Sequence, residues 1–201
     1  MKALFFTLLL AAFVAPGLHA QNVTAKERAK AVKYLEKTRN EILAATKGLS
    51  EAQWKYKAAP DKWSIAEVAE HIAAAEDFIS EMIHEKVMNA PARKEAADLA
   101  ELDDLVITKV PDRSHKVQAP EPLKPSNRFG SPKESLMHFR ESRAKTILFV
   151  KKTEGLRQHA MENPMGKVLD GYQWALFVGA HSERHFHQIE EVKQSPGFPK
   201  K

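Results

Sequence analysis

The sequence predicts an all-α fold, a four-helix bundle of up-down-down-up order with a long crossover between helices 2 and 3. Three observations predict it. Apolar residues recur at helical spacing along most of the chain, and no stretch alternates with period two, which makes a sheet improbable. Three helix starts carry reciprocal capping chemistry, in which an N-cap oxygen and a Glu or Gln three residues on satisfy orphan backbone N–H groups. The connections between the first and second and between the third and fourth helices are about 15 and 17 residues, against more than about 40 for the middle one. A bundle with one long crossover places two consecutive helices parallel.

The first helix is expected from about Ala25 to Gly48. The second starts at the capping box Ser64-Ile65-Ala66-Glu67 and runs to Asn89, before Pro91. The crossover holds Pro111, Pro120, Pro122, Pro125 and Pro132, too many for a continuous helix, with room for a short one from Arg93 to Leu105. The third helix starts at Ser131-Pro132-Lys133-Glu134, with proline at the permitted first position, and runs to Lys152, before Gly155. The fourth starts at Asp170-Gly171-Tyr172-Gln173 and runs to Lys193, before Pro196. Of the 201 residues 43% are hydrophobic, enough for one domain with a real core and too few residues for a second.

The first twenty residues form a separate unit. Lys2 precedes an apolar run from Ala3 to Val14, then Pro16, Gly17 and the small-residue ending Leu18-His19-Ala20. This is the pattern of a signal peptide over residues 1–20, cut after Ala20, leaving one domain over 21–201 in the periplasm or outside the cell. As a retained anchor the run falls short of the ~20 residues that span a bilayer, so no stable membrane insertion is expected after cleavage. The chain has no cysteine, so disulfides contribute nothing and stability rests on the core and on any bound metal.

The formal net charge is +5, from 31 basic and 26 acidic residues, but the two signs interleave. That is a solvated surface with no basic stripe, and no nucleic-acid partner is expected.

Three of the nine histidines stand out. In the last helix His181-Ser182-Glu183-Arg184-His185 places two imidazoles four residues apart, on one face and one turn apart, so both rings reach a single ion. The same face carries Trp174, Val178, Gln188 and Val192, which turns it inward. In the second helix Val68, His71, Ala75, Phe78 and Met82 step by three and four, which places His71 in an apolar stripe. If these helices are antiparallel, the three rings fall within about one turn of the same level. Three histidines with an open fourth position are the donor set of a catalytic zinc site, and nickel, iron or manganese also accept imidazole. Spacing by itself leaves a second reading open. An HxxxH pair arises by chance, and a lone histidine on an apolar face is more often a hydrogen-bonded core residue.

His138 is a second-tier candidate, at the level of His71 if the second and third helices are parallel. The motif is not the HExxH of zinc proteases, since Glu183 lies about 200° around the helix from His181. Glu67 and Glu70 read as capping or surface residues, and Arg140 and Arg143 as surface partners of Glu134 and Glu141. Trp54, Trp63, Tyr172 and Trp174 read as packing residues, with an aromatic pocket wall as the alternative. The loop from Pro91 to Gly130 is placed to cap the cavity.

Taken in order, Leu49-Ser50-Glu51-Ala52-Gln53-Trp54, Pro60-Asp61-Lys62-Trp63-Ser64-Ile65 leading to His71-Ile72, and then Leu169-Asp170-Gly171-Tyr172-Gln173-Trp174, Ala180-His181-Ser182-Glu183-Arg184-His185 and Gln188-Ile189-Glu190-Glu191-Val192 resemble the DinB-like (DinB/YfiT) superfamily of proposed metalloenzymes over nearly the whole of 21–201. The resemblance implies an up-down-down-up bundle holding a divalent metal on a histidine of helix two and the HxxxH pair of helix four, here His71, His181 and His185. It also implies frequent homodimers and, for some relatives, transfer or isomerisation chemistry with low-molecular-weight thiols. Those thiols belong to the cytoplasm, which sets them against an exported chain. The expectation is an exported metal-dependent hydrolase or group transferase of a small molecule, with zinc the first candidate. The alternative is a non-catalytic metal-binding or stress-related module.

Overall fold

The computed structural model describes residues 22–93, 98–163 and 166–200. The signal-peptide expectation for 1–20 falls outside them. Four long helices form the body: α1 (Ala25–Thr46), α3 (Ile65–Glu85), α5 (Pro132–Lys152) and α6 (Gly171–Gln194), with short helices α2 (Glu51–Lys55) and α4 (Leu99–Lys109) between them. Capping sets the starts. Thr24 with Glu27, Ser50 with Gln53, Ser64 with Glu67 and Asp170 with Gln173 each close a reciprocal box, and Ser131 caps α5 ahead of Pro132.

Cross-helix bonds fix the directions. The Tyr172 hydroxyl reaches the Glu27 carbonyl, Tyr34 and Lys37 reach Glu183, and Lys193 reaches the Ala45 carbonyl, so α1 and α6 are parallel. Asp77 holds His138 and Ser142, and His84 packs on Phe149, so α3 and α5 are parallel. Arg28 bonds the Val150 and Thr153 carbonyls while Leu35 and Thr38 meet Arg143, so α1 and α5 are antiparallel. His71 meets His185 while Met88 lies against Gly171, so α3 and α6 are antiparallel as well. The order is up-down-down-up, as expected from the long crossover. No helix among the described residues is long and apolar enough to cross a membrane.

The differences from expectation are local. The second long helix stops at Glu85 and continues as a 3-10 turn over Val87–Asn89, because the Asn89 amide donates to the carbonyls of His84 and Glu85 and ends the α ladder there. The short crossover helix lies at Leu99–Lys109, starting at the Asp98 cap instead of Arg93. A sheet does exist, a ribbon of β1 (Ala160–Glu162) against antiparallel β2 (Val168–Asp170). Strands of three residues are too short to leave an alternation signal. Phe78 is 46% exposed and does not belong to the buried stripe of α3, whose inward face is Ile65, Val68, Ile72, Ala75, Ile79 and Ile83. That face is centred about one residue away from the stripe read through Phe78 and Met82.

The core is two contiguous clusters. One lies around Leu35, Ile79, Ile83, Leu156, Tyr172, Trp174 and Leu176, and the other around Ile42, Ile65, Val68, Ile72, Phe139 and Ile189. Tyr172 and Trp174 pack in the first and Trp54 against the second, as packing residues should.

Candidate metal centre

The antiparallel pairing of α3 and α6 brings His71 to the HxxxH pair. His71 Nε2 lies 3.4 Å from His181 Nε2, and His185 Nε2 lies 3.3 Å from the same atom. The ligand-capable atoms of all three residues are within 4.8 Å of one another. Metal–nitrogen bonds of about 2.0–2.1 Å in a tetrahedron put neighbouring nitrogens about 3.4 Å apart, so the spacing fits one divalent ion. Among the described residues this group is made of imidazoles alone, without a carboxylate or thiol.

Two of the rings have their tautomer fixed from behind. His71 Nδ1 donates to the Leu123 carbonyl at 2.9 Å, and His185 Nδ1 donates to Gln188 Oε1 at 2.8 Å. A carbonyl oxygen only accepts, so each Nδ1 carries the proton and each Nε2 presents its lone pair to the shared centre. Outer partners of this kind orient a ligand and raise its basicity. Gln188 is held in turn by Arg113, which reaches Oε1 at 3.5 Å and pairs with Glu191 at 2.7 Å.

Burial keeps the rings neutral. His71 is pushed below its ordinary value chiefly by desolvation. His181 falls to about 3, from burial first and then the neighbouring His71, Arg143 and Arg184. His185 lies well below its ordinary value for the same reason, with His181 and His71 adding to it. Neutrality is the state in which an imidazole binds a metal.

The surroundings are aromatic, and the long loop closes one side. The Trp63 ring packs against the second core cluster and lies 4.9 Å from that of His71, and Phe177 stacks on His181 at 6.4 Å. His71 and His185 are buried while His181 is partly exposed, so the approach is past His181. Leu123 belongs to a 3-10 turn over Glu121–Leu123 in the crossover, so the 91–130 loop contributes an atom to the site as well as a cover.

Glu70 secures that loop. Its carboxylate accepts from the backbone N–H groups of Ser126, Asn127 and Arg128 and from Arg128 Nε. It is therefore a buried loop anchor and not a surface residue, whereas Glu67 is the capping residue expected. Asn127 takes a left-handed φ of 62° to present those amides, a conformation Asn tolerates better than most residues. Glu183 turns to α1, bonding Tyr34 at 2.5 Å and Lys37 at 2.5 Å.

His138 stays outside the trio. It bonds Asp77 at 2.5 Å and stacks on Phe129. Parallel α3 and α5 bring it to Asp77, six residues beyond His71 on α3, and away from the trio. Of the other histidines, His84 packs on Phe149 and His159 bonds the Ala90 carbonyl. Arg143 corrects the surface reading most sharply. It is fully buried and bonds Glu76, while Arg140 is exposed as expected. Sequence reasoning does not reach Leu123, Gln188 and Glu70 as supports of the site. Gln188, three residues after His185 on the metal face, carried a usable signal, and a backbone carbonyl carried none.

The DinB superfamily profile matches residues 34–189, which contain every residue of the candidate site. The chain is 30% identical over 151 residues to "Uncharacterized protein YuaE" of Bacillus subtilis, covering 74% of this chain and 88% of that protein. A solved structure, reported as "YfiT from Bacillus subtilis is a probable metal-dependent hydrolase with an unusual four-helix bundle topology", superposes with a TM-score of 0.54. It covers 88% of this chain and 91% of its own at 13% identity, so the likeness is one of fold.

Proposed function

The chain belongs to the DinB superfamily, and from that premise we propose that His71, His181 and His185 hold one divalent ion, zinc first, in an exported hydrolase or group transferase of a small molecule. The observation that carries this reading is the pair of Nε2 separations, 3.4 and 3.3 Å, between neutral rings aimed at one point. A divalent ion there supplies Lewis acidity, polarising a substrate oxygen and acidifying water.

The chain's own residues do the rest. Leu123 and Gln188 hold His71 and His185 in the metal-binding tautomer. Trp63 and Phe177 exclude water beside the rings, which strengthens charge interactions at the centre. The nearest carboxylates in sequence, Glu70 and Glu183, are committed to the loop and to α1, so neither is free to act as a general base. The proposed chemistry therefore rests on the ion.

Metal analysis of untagged protein against a His181→Ala variant tests the reading. The parent is expected to retain divalent metal and the variant to lose it, and equal content would overturn the assignment. A panel of ester, amide and group-transfer substrates then separates an enzyme from the second reading, a non-catalytic metal-binding or stress-related module. The burial of His71 and His185 favours that second reading to the extent that it narrows access.

Export to the periplasm or medium rests on the Lys2-to-Ala20 pattern alone. Processed protein should start at Gln21 on N-terminal sequencing. Homodimerisation, which the family resemblance implies, is tested by light scattering of the purified protein.

A further inference from the structure

Arg143 lies at the crossing of the four long helices. The residue is 0% exposed. Its Nε and Nη2 grip both oxygens of Glu76 on α3 at 2.8 and 2.7 Å. Nη1 donates to the Leu35 carbonyl at 3.0 Å and to Thr38 Oγ1 at 2.9 Å, both on α1. Nη2 also donates to Ser182 Oγ on α6 at 2.7 Å, with the Val178 carbonyl at 3.4 Å. Each N–H of the guanidinium thus has an acceptor, and α1, α3 and α6 are all tied to α5 through one planar group. Thr146 completes the pair by donating to Glu76 Oε1 at 2.8 Å.

The register of this crossing is also the register of the metal centre. Glu76 follows His71 on α3, and Ser182 follows His181 on α6. At 1.5 Å rise per residue the crossing lies roughly 7 Å along the bundle from the level of His71. If α3 shifts along its axis against α6 within the same packed face, His71 Nε2 moves off the shared centre by the same distance. Apolar contacts are non-directional and resist such a small shift weakly, whereas a planar fork with every donor placed resists it strongly. A buried ion pair adds little net stability over an apolar pair of similar volume, and its best-attested use is to fix register.

We propose that Arg143, through Glu76, Thr38 and Ser182, is the positioning residue of the metal centre, setting the register of α3 against α6 on which the convergence of His71 with His181 and His185 depends. The proposal rests on the metal-centre reading above. It assigns Arg143 no contact with substrate.

The test replaces both charges together, Arg143→Met with Glu76→Leu, so that no charge is left buried alone. The readouts are helicity and melting, zinc affinity by chelator competition, and the visible absorption spectrum of the cobalt-loaded protein. The expected result is a folded variant that melts near the parent but binds zinc about tenfold or more weakly, with a changed cobalt spectrum. A folded variant with unchanged affinity and spectrum overturns the proposal. If the double variant does not fold, Ser182→Ala and Thr38→Val decide, since each removes one tie and leaves the ion pair in place. A fall in affinity with either supports the latch, and unchanged affinity in both overturns it. A parent chain that binds neither zinc nor cobalt overturns the metal-centre reading and the latch with it, whereas a parent that binds and a variant that binds equally overturns the latch alone.

Discussion

His71 and His181 face each other Nε2 to Nε2 at 3.4 Å across two antiparallel helices, with both rings neutral. Neutral rings at that distance take up a cation without first giving up a positive charge, and a metal held there stabilises the folded state alone. Zinc is expected to raise the melting temperature of protein stripped with chelator, by an amount that grows with free zinc concentration. An unchanged melting temperature across a zinc titration would count against the site.

Acid should unfold the metal-free protein through these rings. In the unfolded chain each titrates near its ordinary value of about 6.5, whereas burial holds His181 at about 3 in the folded one. Between those values the unfolded state binds more protons, so stability is full above pH ~6.5 and is lost progressively as pH falls toward ~3. Chelator-treated protein melted from pH 8 down to pH 4 should show this slope, and His181→Ala should flatten it. Equal slopes in the two proteins would refute it.

Replacing Gln188 should weaken the metal site more than the fold. Gln188→Leu removes the acceptor of the His185 Nδ1 proton and frees the ring to rotate or change tautomer. Loss of such an outer partner lowers metal affinity by about 10–100-fold. Chelator competition reads that loss, while helicity stays at the parent level.

Gly179 allows α1 to lie against α6. A Cβ there would come within 2.8 Å of the Tyr34 ring, whose hydroxyl bonds Glu183. Gly179→Ala is expected to cost roughly 1–3 kcal/mol by urea denaturation, as overpacking does. Tyr34→Leu in the same chain should recover part of that cost, because it removes the obstructing ring.

Arg157 holds the opposite end of the bundle. It is 3% exposed and bonds Asp103 at 2.9 and 2.7 Å, Asp170 at 3.1 Å and Glu27 at 2.6 Å. Arg157→Met would leave buried Asp103 without its cation and Asp170 with Arg93 alone, at 3.8 Å, at a cost of about 3–5 kcal/mol. The purified variant should melt well below the parent and recover partly when Asp103→Asn is added.

The helix starts, the histidine trio and the bundle order were legible in the sequence because each has a local or periodic cause. A capping box is written within four residues, as Ser64 to Glu67 shows. An HxxxH pair is one turn of one helix, and the parallel placement of α3 and α5 follows from the length of chain between them. What escaped was decided by contacts across the bundle. Whether Arg143 lies inside or outside depended on Glu76, Thr38 and Ser182 arriving from three other helices, and its own neighbours in sequence offered acidic surface partners instead. Phe78 falls outside the core because steps of three and four do not fix the centre of an apolar face to within one residue, and packing against α5 and α6 does.

By itself, then, the sequence determined that this chain folds as a bundle and which three histidines face its interior, since periodicity and capping act within a few turns of one helix. Only the tertiary structure decided that those rings meet at one point and that Leu123 and Gln188 orient two of them. It also placed the guanidinium that ties the four helices together at a single level. These are distances between segments far apart in the chain, set by helix direction, register and loop closure together, and no local pattern of residues records them.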